Sequence, residues 1–178
     1  MLKFKFPGWR RIVLEAFLIF ALVAAVMLYQ SRGLPAGPAP ALVGADLQGQ
    51  TRSLDQALKA ANGRPVVVAF WATWCGVCKA EQGNLAAVAK DWPTLTVALQ
   101  SGTAAEVAKY LDERGYGDLV TLNDADGALS AVWKVRGVPA HFIVDKDGIV
   151  RFALVGYTTQ LGLRLRLWWA NQYPADAW

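Results

Sequence analysis

The sequence has few of the side chains from which protein metal centres are built. Its 178 residues include only two cysteines, Cys75 and Cys78, and one histidine, His141. A structural zinc site needs four ligands, which are mostly cysteine and histidine. Because this chain offers only three such side chains, the sequence argues against a structural zinc site.

An excess of charge of one sign is missing from most of the chain. Lysine and arginine outnumber the acidic residues by four, but residues 1–32 alone hold five basic residues and one Glu. Residues 33–178 hold thirteen residues of each sign. Nucleic-acid-binding domains carry a clustered basic surface, so the charge distribution gives no indication of a nucleic-acid partner.

The sequence also lacks internal repeats and a complete calcium-binding loop. Residues 123–127 read NDADG, but the alternating acidic ligands and the distal Glu of a calcium loop are absent. We therefore interpret this stretch as a turn.

One long apolar run is present near the start of the chain. Residues 12–29 contain a single charge, Glu15, and as a helix they would extend roughly 27 Å, close to the hydrocarbon thickness of a bilayer. More basic residues precede the run than follow it, which places the N-terminus in the cytoplasm. We predict a basic cytoplasmic tail over 1–11, a transmembrane signal-anchor helix over 12–29, a Pro/Gly linker over 30–41 and the main domain over 42–178. A cleaved signal peptide is the alternative, although its apolar core is usually shorter, at roughly 7–15 residues.

The main domain shows an alternation of strand and helix patterns. A continuous apolar run at 65–71 is typical of a strand that is buried on both faces. Asp147-Gly148 joins two later strands as a hairpin. The predicted helices are 53–61, 75–90, 103–114 and 159–171, and the predicted strands are 65–71, 95–100, 119–122, 140–144 and 149–155. This order predicts an α/β fold in which a parallel crossover unit is followed by a hairpin.

Both cysteines lie in the stretch WATWCGVCKAE, residues 71–81. A thiol reacts as its thiolate, and the free N–H groups at the start of a helix favour negative charge. The pattern places Cys75 between the apolar strand and the next helix, with Cys78 one turn later. Such a pair can attack and resolve disulfides, whereas its closed loop is too short for an effective structural crosslink. We predict a redox pair; Cu(I) binding by the two thiols with His141 is the alternative.

The stretch WATWCGVCKAE, together with Gly137-Val138-Pro139, resembles the thioredoxin superfamily and in particular the membrane-anchored TlpA/ResA/DsbE group of bacteria. Within that group, residues 98–111 and 155–169 resemble the suppressor-of-copper-sensitivity D (ScsD) branch. The resemblance implies a thioredoxin fold, with a central mixed sheet flanked by helices and the CxxC motif exposed at a helix start. It also implies a location at the periplasmic side of the inner membrane.

The same resemblance implies a protein thiol–disulfide oxidoreductase that needs no metal or organic cofactor. Its partners would be dithiols or disulfides of other proteins. The resemblance favours reduction of those disulfides, with electrons from a membrane reductant of the DsbD or ScsB kind. Disulfide oxidation is the alternative direction.

Particular residues acquire expected roles from the resemblance. Cys75 is expected to attack the substrate, and Cys78 is expected to be the buried resolving thiol. Pro139 is expected to have a cis peptide bond and to face the disulfide. The residues expected to dock the substrate are Trp74, Gly76, Val77, Val138 and Pro139.

Two positions depart from the familiar pattern. Many thioredoxins have a buried Asp six residues before the first cysteine, where this chain has Ala69. We expect Glu81, one turn after Cys78, to replace it and to exchange protons with Cys78; a solvated Glu is the alternative. His141 stands where the group usually has Thr, and it should share a strand face with Pro139. It is either a packed, hydrogen-bonded side chain or a titrating modulator of the Cys78–Glu81 region.

Overall fold

The computed structural model describes residues 9–31 and 33–173, and the chain divides between residues 32 and 33 into two units. The first unit contains one helix, α1 (Trp9–Ser31), which covers the apolar run. Glu15, the charge within that run, pairs with Arg11 one turn earlier at 2.9 Å. Among the described residues, none of the helices combines the length and the apolar character required to span a bilayer.

Over its described residues, 33–173, the second unit contains a six-stranded mixed sheet, a separate two-stranded sheet and five helices. The strands are β1 (Gly37–Pro38), β2 (Val43–Ala45), β3 (Thr51–Ser53), β4 (Val66–Trp71), β5 (Thr94–Leu99), β6 (Thr121–Asp124), β7 (Ala140–Val144) and β8 (Ile149–Val155). The helices are α2 (Leu54–Ala60), α3 (Gly76–Ala89), α4 (Ala104–Asp112), α5 (Ala128–Val132) and α6 (Gln160–Gln172).

The large sheet has the strand order β1-β8-β7-β4-β5-β6. Strands β4, β5 and β6 are parallel, whereas β7 is antiparallel to both β4 and β8. A parallel crossover unit is therefore followed by a hairpin. The prediction of an α/β fold with a central mixed sheet and flanking helices is confirmed.

The sheet is covered on both faces because its central strand alternates between two apolar clusters. On one face, Val66, Val68 and Phe70 pack with residues of α2 and Trp133. On the other face, Val67 and Ala69 pack against α3 and α6. All six residues of β4 are buried, as expected of its continuous apolar sequence. Helices α3 and α6 therefore lie on the same side of the sheet as the odd-numbered residues of β4.

Local start signals place two of the helices where the sequence predicts them. The Ser53 hydroxyl accepts the backbone N–H of Gln56, whose side chain accepts the backbone N–H of Ser53 in return. Thr103 and Glu106 form the same capping box at the start of α4. These bonds satisfy backbone donors that a helix start otherwise leaves free.

The segment 30–41, predicted as a linker, contributes to the sheet. Gly37 and Pro38 form β1 and pair with Val150 and Ile149 of β8, and the N–H of Ala39 donates to Gly148 O at 2.8 Å. Proline has no N–H to donate, so it is tolerated at the edge of a sheet. The composition of the segment is typical of linkers, but part of it is an edge strand.

Two further expectations require correction. The third parallel strand begins at Thr121 rather than at 119. The turn predicted at 123–127 is shorter and covers 125–127, because Asn123 and Asp124 end β6. The buried carboxylate of Asp124 accepts the N–H groups of Leu129 and Ser130 at the start of α5 and the Ser130 hydroxyl.

Candidate active site

The cysteine pair lies where the connection from β4 enters α3, beyond the C-terminal end of β4: Cys75 precedes the helix, and Cys78 lies in its first turn. Cys75 is the N-cap of α3, and its Sγ accepts the backbone N–H of Cys78 at 3.0 Å. The two residues are joined in a disulfide, with their Cα atoms 5.2 Å apart. In the reduced protein this donor and the positive end of the helix stabilise a thiolate at Cys75. The predicted position of the pair at a helix start is confirmed.

The exposed part of the motif consists of the residues between and beside the cysteines. Gly76 is exposed, Val77 is 47% exposed and Trp74 is 60% exposed. Cys75 and Cys78 are only 7% and 5% exposed. The expectation of an exposed first cysteine is wrong for Cys75, whereas Cys78 is buried as expected; both pack in one cluster with neighbouring apolar side chains.

The turn before Cys75 is held by the loop that follows β5. The backbone N–H of Thr73 donates to the Ser101 hydroxyl at 3.0 Å. The indole N–H of Trp74 donates to the carbonyl oxygen of Gln100 at 3.1 Å. Trp74 is therefore exposed but fixed, which gives the site a rigid apolar rim beside Cys75.

Val138 and Pro139 face the disulfide from the start of β7. Their peptide bond is cis, as the resemblance implied, and Val138 packs in the cysteine cluster. The Val138 carbonyl oxygen lies 3.5 Å from the Sγ of Cys75. The sheet thus presents a backbone acceptor directly at the first sulfur.

Glu81 is buried one turn after Cys78, at 2% exposure. One carboxyl oxygen, Oε1, contacts the Nε2 of His141, and the other, Oε2, accepts the backbone N–H of Thr158 at 2.9 Å. A solvated Glu81, the alternative interpretation of the sequence, is wrong. The expectation that Glu81 lies inside the protein near Cys78 is met, while its part in proton exchange stays a prediction.

His141 approaches the redox pair from β7, on the same face as Pro139. It is 1% exposed and pairs in the sheet with Ala69, the position where many thioredoxins have Asp. A small cavity of about 10 Å³ lies between β7 and α3. Its lining consists of Trp71, Cys78, Glu81, Gln82, Leu85, Pro139 and His141. The packed position of His141 agrees with one of its two interpretations, and its contact with Glu81 makes the second one chemically possible.

Three groups in this region were not expected at the site. Two are the side chains of Trp71 and Gln82, which line the cavity beside Cys78. The Thr158 N–H, which binds Glu81, belongs to the loop before α6. Every non-proline residue has such a donor, so no side-chain pattern could identify it.

Trp71, which lines the cavity, is supported by aromatic packing on its other side. Trp71 stacks on Tyr110 with ring centroids 5.6 Å apart, and the Arg114 guanidinium lies 4.0 Å from the centre of the Tyr110 ring. Burial raises the pKa of Tyr110, and the nearby Arg114 partly opposes this effect. Tyr110 therefore stays a neutral phenol at neutral pH.

Within the described residues, no group of three or more His, Cys, Asp and Glu side chains is arranged to hold a metal ion.

Comparison with known proteins identifies relatives along most of the chain. The AhpC/TSA family model matches residues 35–153. A thioredoxin-like protein of Haemophilus influenzae is 30% identical over 159 residues, which cover 89% of this chain and 92% of that protein. The thiol:disulfide interchange protein DsbE of Pseudomonas aeruginosa is 32% identical over 149 residues, which cover 78% and 81% of the two chains.

A solved structure shows the same fold. The thiol:disulfide interchange protein of Chlorobium tepidum, a thioredoxin family protein, has a TM-score of 0.65 at 22% identity, and the match covers 77% of this chain and 97% of that one. The family match, the two relatives and the disulfide at the start of α3 agree. The chain therefore belongs to the AhpC/TSA family and is a thiol–disulfide oxidoreductase with a thioredoxin fold.

Proposed function

We propose that this protein is a reductase of protein disulfides, tethered to the bacterial inner membrane by residues 12–29, with residues 42–178 in the periplasm. The observation that carries the proposal is the disulfide between Cys75 and Cys78 at the start of α3, with the Val138 carbonyl 3.5 Å from Cys75. An extended peptide that docks at Val138 brings its own sulfur to Cys75. The stretches 98–111 and 155–169 favour the ScsD branch of the family.

The reaction moves two electrons from the reduced pair to the substrate. The Cys75 thiolate attacks one sulfur of the substrate disulfide; a bond between Cys75 and that sulfur forms, and the substrate S–S bond breaks. The first substrate thiolate leaves and takes a proton from water. Cys78 then loses its proton and attacks the Sγ of Cys75, which forms the intramolecular disulfide and releases the second substrate thiolate.

The exposed rim of the site suits a polypeptide substrate. Trp74, Gly76 and Val77 present apolar and backbone surface next to Cys75. Val138 supplies the carbonyl acceptor, and Pro139 after it is buried. A peptide strand can pair with that carbonyl while its side chains pack on Trp74 and Val77.

Glu81 is the proposed proton acceptor for Cys78. Both residues are buried on one face of α3 and line the same cavity. A resolving thiol this far from water needs an internal base, because only the thiolate is nucleophilic. The redox pair itself is the proposed redox group, with no metal or organic cofactor.

The reduction potential of the pair tests the direction. The full-length protein is equilibrated in glutathione and dithiothreitol buffers, and the fraction with free thiols is measured by alkylation. A potential near or below about −250 mV supports electron donation and an upstream membrane reductant of the DsbD or ScsB kind. A potential near about −120 mV, as for strong disulfide oxidants, would show that the direction is wrong.

Two matched variants test the assigned roles of the cysteines. Reduced Cys78→Ser should accumulate a mixed disulfide between Cys75 and a disulfide-containing protein substrate such as insulin, detected by mass spectrometry. Cys75→Ser should form none. Equal trapping by both variants contradicts the roles.

A membrane-impermeant thiol reagent that labels reduced Cys75 in intact spheroplasts supports the periplasmic location, and labelling only after lysis contradicts it.

A further inference from the structure

The interior contact between Glu81 and His141 holds a proton. Carboxyl Oε1 and imidazole Nε2 are in direct contact, and both side chains are buried. Two atoms that present only lone pairs repel each other, so a hydrogen must lie between them. It is carried either by the ring nitrogen or by the carboxyl. The contact is therefore a carboxyl–imidazole pair with at least one proton.

The remaining atoms of the pair are not equivalent. Glu81 Oε2 is occupied, because it accepts the Thr158 N–H at 2.9 Å. Among the described residues, no group forms a hydrogen bond with the buried Nδ1 of His141. Buried polar atoms are nearly always satisfied, and an exception calls for a chemical explanation. Nδ1 is therefore a free position for a proton or a water.

Glu81 and His141 share a small cavity with the resolving cysteine. Cys78, Glu81 and His141 all line the cavity of about 10 Å³, a volume at the lower limit for one water molecule. Gln82 lines it too, and its Oε1 also lacks a partner among the described residues. The Glu81–His141 pair is therefore a neighbour of Cys78 across this cavity and can receive the proton that leaves the thiol.

We propose that Glu81 and His141 act as one proton-accepting unit for Cys78, an inference that rests on the redox function proposed above. The Cys78 S–H bond breaks, its proton joins the pair, and the thiolate forms the bond to Cys75 Sγ as the substrate thiolate leaves. When a reductant opens the Cys75–Cys78 disulfide, the proton returns from the pair to Cys78. His141 takes part through its contact with Glu81, as the second group of the unit that can hold the proton.

The imidazole makes this exchange possible at a buried site. Glu81 by itself would be a buried carboxylate with only the Thr158 N–H for support, a costly arrangement. The Nε2–H of His141 stabilises the carboxylate and keeps it ready to accept. After proton transfer, an imidazolium beside the carboxylate is a pair with no net charge, which burial penalises less than a single ion.

Few other groups can titrate next to the pair. From α3, the titratable neighbour in the cavity is Cys78, with the uncharged Gln82 and Leu85 beside it. From β4 and β8, Ala69 and Leu154 are the sheet partners of His141. The other neighbours are Trp71, Pro139 and Thr158, none of them charged, and the loop of Thr158 also carries Tyr157, which is half exposed and accepts a hydrogen bond from Asn84.

The resolving step can be isolated with a chromogenic disulfide. Reduced full-length protein reacts with dithionitrobenzoate, and Cys75 releases one thionitrobenzoate on forming the mixed disulfide. Attack by Cys78 releases the second, and its rate is followed between about pH 5 and 9, the range in which a histidine-linked step titrates. The proteins compared are wild type, His141→Thr, His141→Gln, Glu81→Gln and the double variant Glu81→Gln/His141→Thr.

We expect His141→Thr to slow the second release about tenfold at neutral pH and to move its pH midpoint. His141→Gln should behave in the same way, because glutamine can donate to Glu81 but cannot take up a proton. In the Glu81→Gln background, His141→Thr should change the rate by less than about twofold, since the two residues act as one unit. The first release reports a correctly folded Cys75 and should stay unchanged.

Two results would overturn the inference. One is equal slowing by His141→Thr in both backgrounds with parallel pH profiles, which is the signature of a purely structural effect. The other is a wild-type profile in His141→Gln, which would reduce the imidazole to a hydrogen-bond donor. A wild-type protein that never releases the second thionitrobenzoate would instead overturn the proposed redox function, and the inference with it.

Discussion

Replacement of Glu81 by alanine is expected to destabilise the protein far more than replacement by glutamine. The carboxyl binds the Thr158 N–H and contacts His141 Nε2, and Glu81→Ala leaves both groups without that partner. An unsatisfied buried polar group costs about 1–3 kcal/mol, so the two together cost about 2–6 kcal/mol. For a protein of this size each 1 kcal/mol lowers Tm by about 2–4 °C, which gives a decrease of at least about 4 °C.

Glu81→Gln retains most of this network. The glutamine carbonyl accepts the Thr158 N–H, and its NH₂ group donates to His141 Nε2 once the ring proton moves to Nδ1. Because the volume is also conserved, the expected cost is about 1 kcal/mol. The stability test therefore separates hydrogen bonding from proton transfer, since glutamine preserves the first and removes the second.

The measurement is thermal unfolding of the oxidised full-length protein at neutral pH, followed by circular dichroism. Lys79→Ala is the matched control, because Lys79 is exposed on the same helix, and it should change the stability by less than about 0.5 kcal/mol. If alanine and glutamine at position 81 have the same Tm, the two contacts of Glu81 do not contribute as described, and the reasoning fails.

Three other predictions concern the rim, a helix cap and the packing of α6. Trp74→Ala should slow reaction with a protein disulfide several-fold but leave the rate with dithionitrobenzoate within about twofold, because Trp74 is 60% exposed beside the site and does not support the core. Thr103→Ala should lower the unfolding free energy by about 1 kcal/mol at neutral pH. The backbone N–H and then the hydroxyl of Thr103 hold the pKa of Glu106 below its usual 4.5, so the stability gained from these bonds to the Glu106 carboxylate is present above pH 4.5 and is lost as the pH falls through the lowered pKa. Because Thr103→Ala removes the hydroxyl bond, the loss of unfolding free energy in this variant, measured by urea denaturation, should become smaller in acid. Leu167→Ala, in the core, should cost about 2–5 kcal/mol, and exposed Leu165→Ala less than about 0.5 kcal/mol; equal costs would contradict the docking of α6.

Features that depend on near neighbours in the chain could be predicted from the sequence. The caps at Ser53 and Thr103 involve residues three positions later, and the turn at Asp147-Gly148 joins adjacent strands. The buried strand β4 is evident from its own apolar residues. In each case the physical cause lies within a few residues, so the local pattern contains the necessary information.

Features that depend on distant partners could not be predicted in this way. β1 exists because Gly37 and Pro38 pair with β8, more than a hundred residues later. The bonds that the Asp124 carboxylate accepts from Leu129 and Ser130, across the turn that follows it, were not predicted either.

At the site, the cysteine motif and Pro139 could be recognised, whereas the contact between Glu81 and His141 required the fold. The contact depends on the register that pairs Ala69 with His141, and on the packing of α3 over that face of the sheet. The period of two along β7 placed His141 on the side of Pro139, but no pattern could show which atom of Glu81 it meets. The Thr158 N–H was equally beyond sequence reasoning.

The pairing of Ala69 with His141 predicts that an acid at position 69 competes with Glu81. Directly paired residues of antiparallel strands have Cβ atoms about 4.5–5.5 Å apart on one face, so Ala69→Asp places a carboxyl beside the imidazole. In the wild type, His141 is already engaged with Glu81, and the new buried carboxyl lacks a partner. In Glu81→Gln, Asp at 69 would be the nearest carboxylate that His141 can stabilise. Urea denaturation of the four proteins should therefore show Ala69→Asp to be less destabilising in the Glu81→Gln background, with a coupling of about 1 kcal/mol or more. Additive costs would mean that His141 cannot stabilise a carboxylate at position 69, and that the acidic residue that pairs with His141 has to lie on α3.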